Sequence, residues 1–315
     1  MSAYATLLGA VAPIFIMLAI GWAMRRSGAL SADADSSILR LGINVFYPAL
    51  IADTILGNSA LQRIENVLVP AAAGAATVLI GFGIALIGAR TLGLERPHPA
   101  RTFAFSVGLQ NYGFIAIPLV QTLYGRGALG VQFTFTLGVE LALWSAGIWL
   151  LSGHRGTASW RDMVTAPVIA IIVSTGINYF VGDQWLPQFG RVAMQSLGAC
   201  SIPSQVVLTG AVLADVMRRA APGPWLRPVI VGNLLRITII PALILLLGGL
   251  LSPSVELRHV LIVQAAMPSA MVPIVLVKHY GGETNLAAWI VSASTALGIV
   301  SIPFWLRIGP WWLGN

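Results

Sequence analysis

Ten apolar stretches fill this chain almost end to end, near 4–24, 36–57, 67–90, 101–123, 128–151, 163–182, 191–215, 226–250, 258–278 and 286–308. In helical form about 20 apolar residues cross the hydrocarbon core of a bilayer, and the segments between the stretches are too short for a soluble domain. Charged residues make up 9% of the chain, against about 25% in a soluble protein, so most of the surface has to face lipid. The expected fold is an all-α membrane protein with ten transmembrane helices. The first stretch has no basic segment ahead of it and no small-residue cleavage site behind it, and reads as a retained span. Cys200, the single cysteine, excludes an internal disulfide and a cysteine-based metal cluster.

A net charge of +7 does not imply a nucleic-acid partner here, because the arginines stand singly or in pairs between apolar stretches. Their use is in setting orientation. With the N-terminus outside, twelve basic residues fall inside: Arg25, Arg26, Arg40, Arg90, Arg96, Arg101, Arg155, Arg161, Arg218, Arg219, Arg227 and Lys278. Five fall outside: Arg63, Arg126, Arg191, Arg258 and Arg307. The positive-inside rule therefore predicts both termini on the periplasmic or extracellular side of a cell inner (plasma) membrane.

Five stretches precede Gly156 and five follow it. An odd number per half turns the halves, 1–155 and 156–315, into opposite orientations, which is the pattern of an inverted repeat. Landmarks recur across the division. Pro48 in the second stretch answers Pro203 in the seventh, and Leu123-Tyr124-Gly125 after the fourth answers His279-Tyr280-Gly281 after the ninth.

The fourth and ninth stretches share a further peculiarity, each being interrupted by helix breakers and amides: Gly108 to Pro118 in one, Gln264 to Pro273 in the other. Proline removes a backbone donor and clashes with the preceding turn, and the residue before it is pushed out of helical geometry. Pro118, Pro268 and Pro273, with Gly108 and Gly113, are expected to open both spans near their centres. Unwound backbone at that depth is tolerated only where protein or a water-filled cavity satisfies it. A half-helix N-terminus there offers free N–H groups and partial positive charge, suited to an anion such as a carboxylate. Gln110, Asn111, Gln264 and Ser269 are the side chains placed to add directional hydrogen bonds. For a single span a packing kink is the alternative; a matched pair of breaks points to the binding site of a secondary transporter.

Ionisable residues inside spans are functional candidates by default. Glu140 lies near the middle of the fifth stretch and is the first candidate for a coupling proton site. Arg236 lies well inside the eighth, where three roles are open: counter-charge to a carboxylate substrate, structural partner of Glu140 or of a carbonyl, or a side chain snorkelling to the interface. Asp53, near the outer end of its span, is a second coupling candidate, though a solvated cap is the simpler reading. Asn44, Gln132, Asn233 and Thr295 read as interhelical hydrogen-bond pairs. Gly81-Phe82-Gly83 reads as a close-packing site. No Ser/His/Asp set, metal-ligand run or cofactor motif stands out, so neither an enzyme nor a metal or cofactor is expected.

Asn111-Tyr112-Gly113-Phe114-Ile115-Ala116-Ile117-Pro118, followed by Tyr124-Gly125, resembles the fourth-span motif of the auxin efflux carrier family, which includes bacterial malonate and other carboxylate transporters. Trp144-Ser145-Ala146-Gly147 resembles its fifth span, Ile202-Pro203 with Gly210-Ala211 its seventh, Arg236 five residues before Pro241 its eighth, and Ala266-Met267-Pro268-Ser269 its ninth. The resemblance runs over essentially the whole chain. Only about ten residues, around His154 to Asp162, separate the halves, so the chain is similar to the short prokaryotic type. The resemblance implies that broken helices 4 and 9 cross and that Asn111, Pro118, Met267 and Pro268 line the site. It also implies a core of spans three, four, five, eight, nine and ten moving against a scaffold of spans one, two, six and seven, with a homodimer surface on the second and seventh. In one respect the chain departs from the plant carriers, which have an asparagine on both crossing spans. None occurs between Leu261 and Lys278, which leaves Gln264, Ser269 or bare backbone N–H groups to serve the second half.

The expected function is secondary active transport of small organic anions, such as malonate, malate or auxin-like acids, by an elevator-type or rocking motion. The partners expected are the substrate anion, membrane lipid and no nucleic acid. Two rivals are a sodium-coupled symporter of the bile-acid type and a membrane sensor or enzyme that binds an amphiphilic anion without moving it.

Overall fold

In a computed structural model, the described residues are 3–94, 97–153, 164–219, 223–251 and 254–314, and among them the chain is helical with no β-strand. The inter-half segment around His154 to Asp162 lies outside the described residues. The helices are α1 (Ala3–Arg26), α2 (Ala34–Ile55), α3 (Glu65–Thr91), α4 (Pro97–Gly108), α5 (Ala116–Ser152), α6 (Ala166–Phe180), α7 (Gln188–Arg218), α8 (Leu226–Leu251), α9 (Val255–Ala266), α10 (Val272–His279) and α11 (Thr284–Leu313). Seven of them, α1, α2, α3, α5, α7, α8 and α11, are long and apolar enough to cross a membrane; α6 is apolar but has 15 residues. Neither the fourth nor the ninth expected stretch forms a single helix. Each is divided into two short ones, because its centre cannot hold helical geometry.

The gaps fall at residues 109–115 and 267–271. Pro118 and Pro273 stand within the first turn of the helices that follow the gaps, where the missing N–H costs nothing; Pro268 lies within the second gap. The glycines after each short helix, Gly125 (φ 75°) and Gly281 (φ 70°), adopt the left-handed region that other residues avoid. Gly125 thereby turns the chain inside α5, separating a nine-residue piece, Ala116 to Tyr124, from the long rod that follows.

Packing divides the helices into two groups. α1 lies along α7, while α2 packs on α6 and α7; in the other group α3 packs on α4 and α5, α5 on α9, and α9 on α8 and α11. Close approach within each group depends on missing side chains: a Cβ on Gly210 would stand 2.8 Å from the Leu18 carbonyl carbon, and one on Gly74 would stand 3.1 Å from that of Phe135. Gly81 likewise abuts the backbone of Gly108, as expected of a close-packing site, whereas Gly83 faces open space. Large apolar side chains such as Phe180 (84% exposed) and Phe189 (79%) cover the outside, which suits a lipid-facing surface. Together these features make a multi-pass helical membrane protein.

Three of the four polar residues expected to pair between helices do not. Asn44 donates to the Arg40 carbonyl, Asn233 to Val229 and Thr295 to Val291, each four residues back on its own helix. Bonding of this kind lets a short polar side chain donate to its own helix instead of to a neighbour, although the buried Asn233 Oδ1 finds no partner. Gln132 alone reaches across.

Candidate functional site

The two gaps meet. Gln110 and Ser269 form an isolated antiparallel bridge, in which Asn111 N–H donates to the Pro268 carbonyl at 2.8 Å and Ala270 N–H donates to the Leu109 carbonyl at 2.9 Å. Each unwound segment thus satisfies part of the other's backbone, as an interior without water requires.

Beside this junction is a cavity of about 250 Å³ between the two packing groups. The first group supplies Ile43 and Tyr47 of α2, Thr165 and Pro167 at the start of α6, and Ser201, Ile202 and Gln205 of α7. The second supplies residues 111–114, Ile117 and Pro118, then Glu140, Leu143 and Trp144 of α5, and Ala270, Met271 and Val272. Among the described residues no lysine, arginine or histidine lines it. α2 and α5 each carry a π-helical turn here, Gly42–Phe46 and Leu143–Gly147; such turns insert a residue into the helix and re-aim neighbouring side chains.

Donors without partners gather around this space. Among the described residues the backbone N–H groups of Gly113, Phe114, Met271 and Val272 have no backbone acceptor, since the bonds across the gaps start from other residues. Met271 and Val272 are the N-cap and first residue of the helix that resumes after the second gap, while Gly113 and Phe114 lie in the turn just ahead of Ile115, the N-cap of α5. Asn111 accepts from Ile115 N–H at 3.3 Å through Oδ1, which leaves its amide nitrogen for the cavity. Gln205, buried at 4% exposure, has no hydrogen-bond partner on either amide atom. The Glu140 carboxylate accepts from the Tyr112 hydroxyl at 2.8 Å on Oε1 and from the Trp144 indole at 2.9 Å on Oε2.

Of the residues singled out in the sequence, Asn111, Gly113, Pro118 and Glu140 line the cavity, and Gln110, Gln264, Met267, Pro268 and Ser269 do not. The two glutamines are turned into the protein. Gln110 donates to Thr77 Oγ1 at 2.8 Å, and Gln264 to Gln132 Oε1 at 2.9 Å, while Gln132 donates to the Tyr112 carbonyl at 3.0 Å. Between asparagine-like side chains and bare backbone as the second half's contribution, the lining favours backbone. Arg236 sits in a third π-helical turn, Leu235–Ile239, with its Nε donating to the Met267 carbonyl at 3.0 Å. It forms no ion pair with Glu140 and lies outside the cavity. Asp53 pairs with Arg126 at 3.7 Å, also outside the cavity. Tyr47, Trp144 and Gln205 were not singled out as site residues. The sequence marks them only as unusual, since each stands well inside an apolar stretch, away from the interfacial belt where such side chains usually lie; it does not mark them as facing a cavity.

A family model described as membrane transport protein matches residues 6–158 and 157–306. The chain belongs to this membrane transport family. That is the family of the auxin efflux carriers, in agreement with the resemblance read from the motifs. An uncharacterised transporter of Methanothermobacter thermautotrophicus is 25% identical over 310 residues, covering 94% of this chain and 96% of its own length. A second, from Methanocaldococcus jannaschii, is 22% identical over 298 residues, covering 93% of this chain and 95% of its own. Near-complete coverage of such relatives fits the short prokaryotic type.

Proposed function

We propose that this member of the family is a secondary transporter of small organic anions, and that the cavity beside the two gaps receives the carboxylate. The observation that carries the proposal is the set of partnerless N–H groups on Gly113, Phe114, Met271 and Val272, with the Asn111 amide beside them. Donors of this kind at half-helix N-termini favour negative charge without a cationic side chain. On this reading the chain is ten spans in two inverted halves, 1–155 and 156–315, with the fourth and ninth crossing at their gaps.

The cavity's position between the two packing groups supports alternating access, with the group around α3, α5 and α9 sliding as an elevator against α1, α2, α6 and α7. Glu140 is the proton site of this cycle, because its carboxyl lies in the cavity wall and only neutral donors hold it. Both termini face outward across the inner membrane, and two copies associate through the scaffold's α2 and α7. Counterflow of labelled malonate and related acids into liposomes tests the reading. Asn111→Ala is expected to abolish uptake while the protein elutes as the wild type does on size exclusion; unchanged uptake would remove the site.

A further inference from the structure

The cavity that offers its N–H groups to an anion also contains a carboxyl group, and among the described residues no cationic side chain faces that group. Glu140 is held by Tyr112 and Trp144 through neutral hydrogen bonds. Among the described residues it takes part in no ion pair. A carboxylate without a positive partner inside a membrane protein is expensive, so the group takes up either a proton or a cation brought by whatever fills the space. The wall around Glu140 suits a cation: the rings of Tyr47, Tyr112 and Trp144 all line the cavity, and aromatic faces beside a carboxylate recognise ammonium groups.

We propose that the passenger is amphoteric, an amino acid or similar compound with one carboxylate and one ammonium. Its carboxylate meets the free N–H groups of Gly113 and Met271, and its ammonium meets Glu140 within the three rings. This rests on the anion reading above and narrows it. The two ends of the cavity are one tyrosine side chain apart, because Tyr112 precedes Gly113 in the chain and its hydroxyl bonds Glu140. A cavity of about 250 Å³ is many times the roughly 10–15 Å³ of such space that one water needs, which leaves room for compounds from 4-aminobutyrate to leucine. The proton of the preceding reading and this ammonium are then alternative occupants of one carboxylate.

The test is equilibrium binding to the purified full-length protein with matched pairs that differ only in the amino group: leucine against 4-methylpentanoate, β-alanine against propanoate, and 4-aminobutyrate against butanoate. A charge pair about 4 Å apart at an effective dielectric of about 20 corresponds to roughly a thousandfold in affinity, and desolvation of the ammonium takes back most of it. At least one amino compound is therefore expected to bind tenfold or more tightly than its partner, and Glu140→Gln is expected to bring that ratio close to one. Should Glu140→Gln fail to fold, the wild-type ratios decide alone. Amino compounds binding no better than their partners in every pair would overturn this inference, and the anion reading would stand if the simple acids still lose affinity in Asn111→Ala. Asn111→Ala that leaves both members of every pair unchanged would overturn the anion reading, and this inference with it.

Discussion

Gln132 links the gap after α4 to the end of α9, and the strength of that link can be worked out in advance. Gln264 Nε2 donates to Gln132 Oε1 at 2.9 Å, and Gln132 Nε2 donates to the Tyr112 carbonyl at 3.0 Å. All four side-chain amide atoms are buried with their residues. Gln132→Leu strands the Gln264 amide nitrogen and the Tyr112 carbonyl, at about 1–3 kcal/mol for each unsatisfied group, so a loss of about 3 kcal/mol is expected. Gln264→Leu strands the Gln132 oxygen but also removes Gln264 Oε1, which has no partner in the wild type; about 1 kcal/mol is expected. In the double variant the shared bond is lost once and no orphaned side-chain amide remains, while the Tyr112 carbonyl stays stranded as in the Gln132 single variant. Its destabilisation should fall about 1–2 kcal/mol below the sum of the singles, toward the upper end of couplings measured inside membranes. Reversible unfolding in mixed micelles by SDS titration of the wild type and three variants gives the cycle. Additivity within about 0.5 kcal/mol would refute the claim that this amide pair ties the two interrupted spans together.

Other expectations concern packing, backbone and charge. Gly81→Ala places a Cβ 2.9 Å from the Gly108 carbonyl carbon, so about 1–3 kcal/mol of overpacking and reduced uptake are expected, whereas Gly83→Ala, which faces open space, should behave as the wild type in the same unfolding and transport assays. Gly125→Ala and Gly281→Ala force a side chain into the left-handed region, each at about 1–2 kcal/mol, measurable by the same SDS titration. Arg236 has two buried guanidinium nitrogens without partners and a single bond, to Met267. Replacing a poorly compensated buried charge with an apolar side chain of similar length is often neutral or stabilising, so Arg236→Met should unfold no earlier than the wild type, and a loss above about 3 kcal/mol would assign that guanidinium a structural role.

The places where the chain stops being helical are legible in the sequence, because proline and glycine act on their own backbone whatever surrounds them. Gly108, Pro118, Pro268 and Pro273 bracket both gaps to within a few residues. Which side chains turn toward the cavity is not legible. Gln110 and Gln264 look like ligands by position, yet their amides donate to Thr77 and Gln132; Gln110 lies in a gap with no helical period, and the end of α9 that carries Gln264 is buried on every side, so no hydropathy period separates one face from another. The contribution of Tyr47 and Gln205 depends on how α2 and α7 lie against the gaps, a relation between distant segments that no local pattern encodes. Asn44, Asn233 and Thr295 mislead for the opposite reason, since a polar side chain in an apolar stretch suggests a neighbour while its own helix supplies the acceptor.

The direct hydrogen bonds from one gap to the other run between peptide groups, Asn111 N–H to Pro268 and Ala270 N–H to Leu109. A clasp of that kind is indifferent to which side chains decorate it. Descendants of one ancestral gene can therefore exchange the residues of the cavity wall, and with them the molecule carried, while the clasp survives unaltered, so a family built on it can diversify its cargo without having to reinvent its joint.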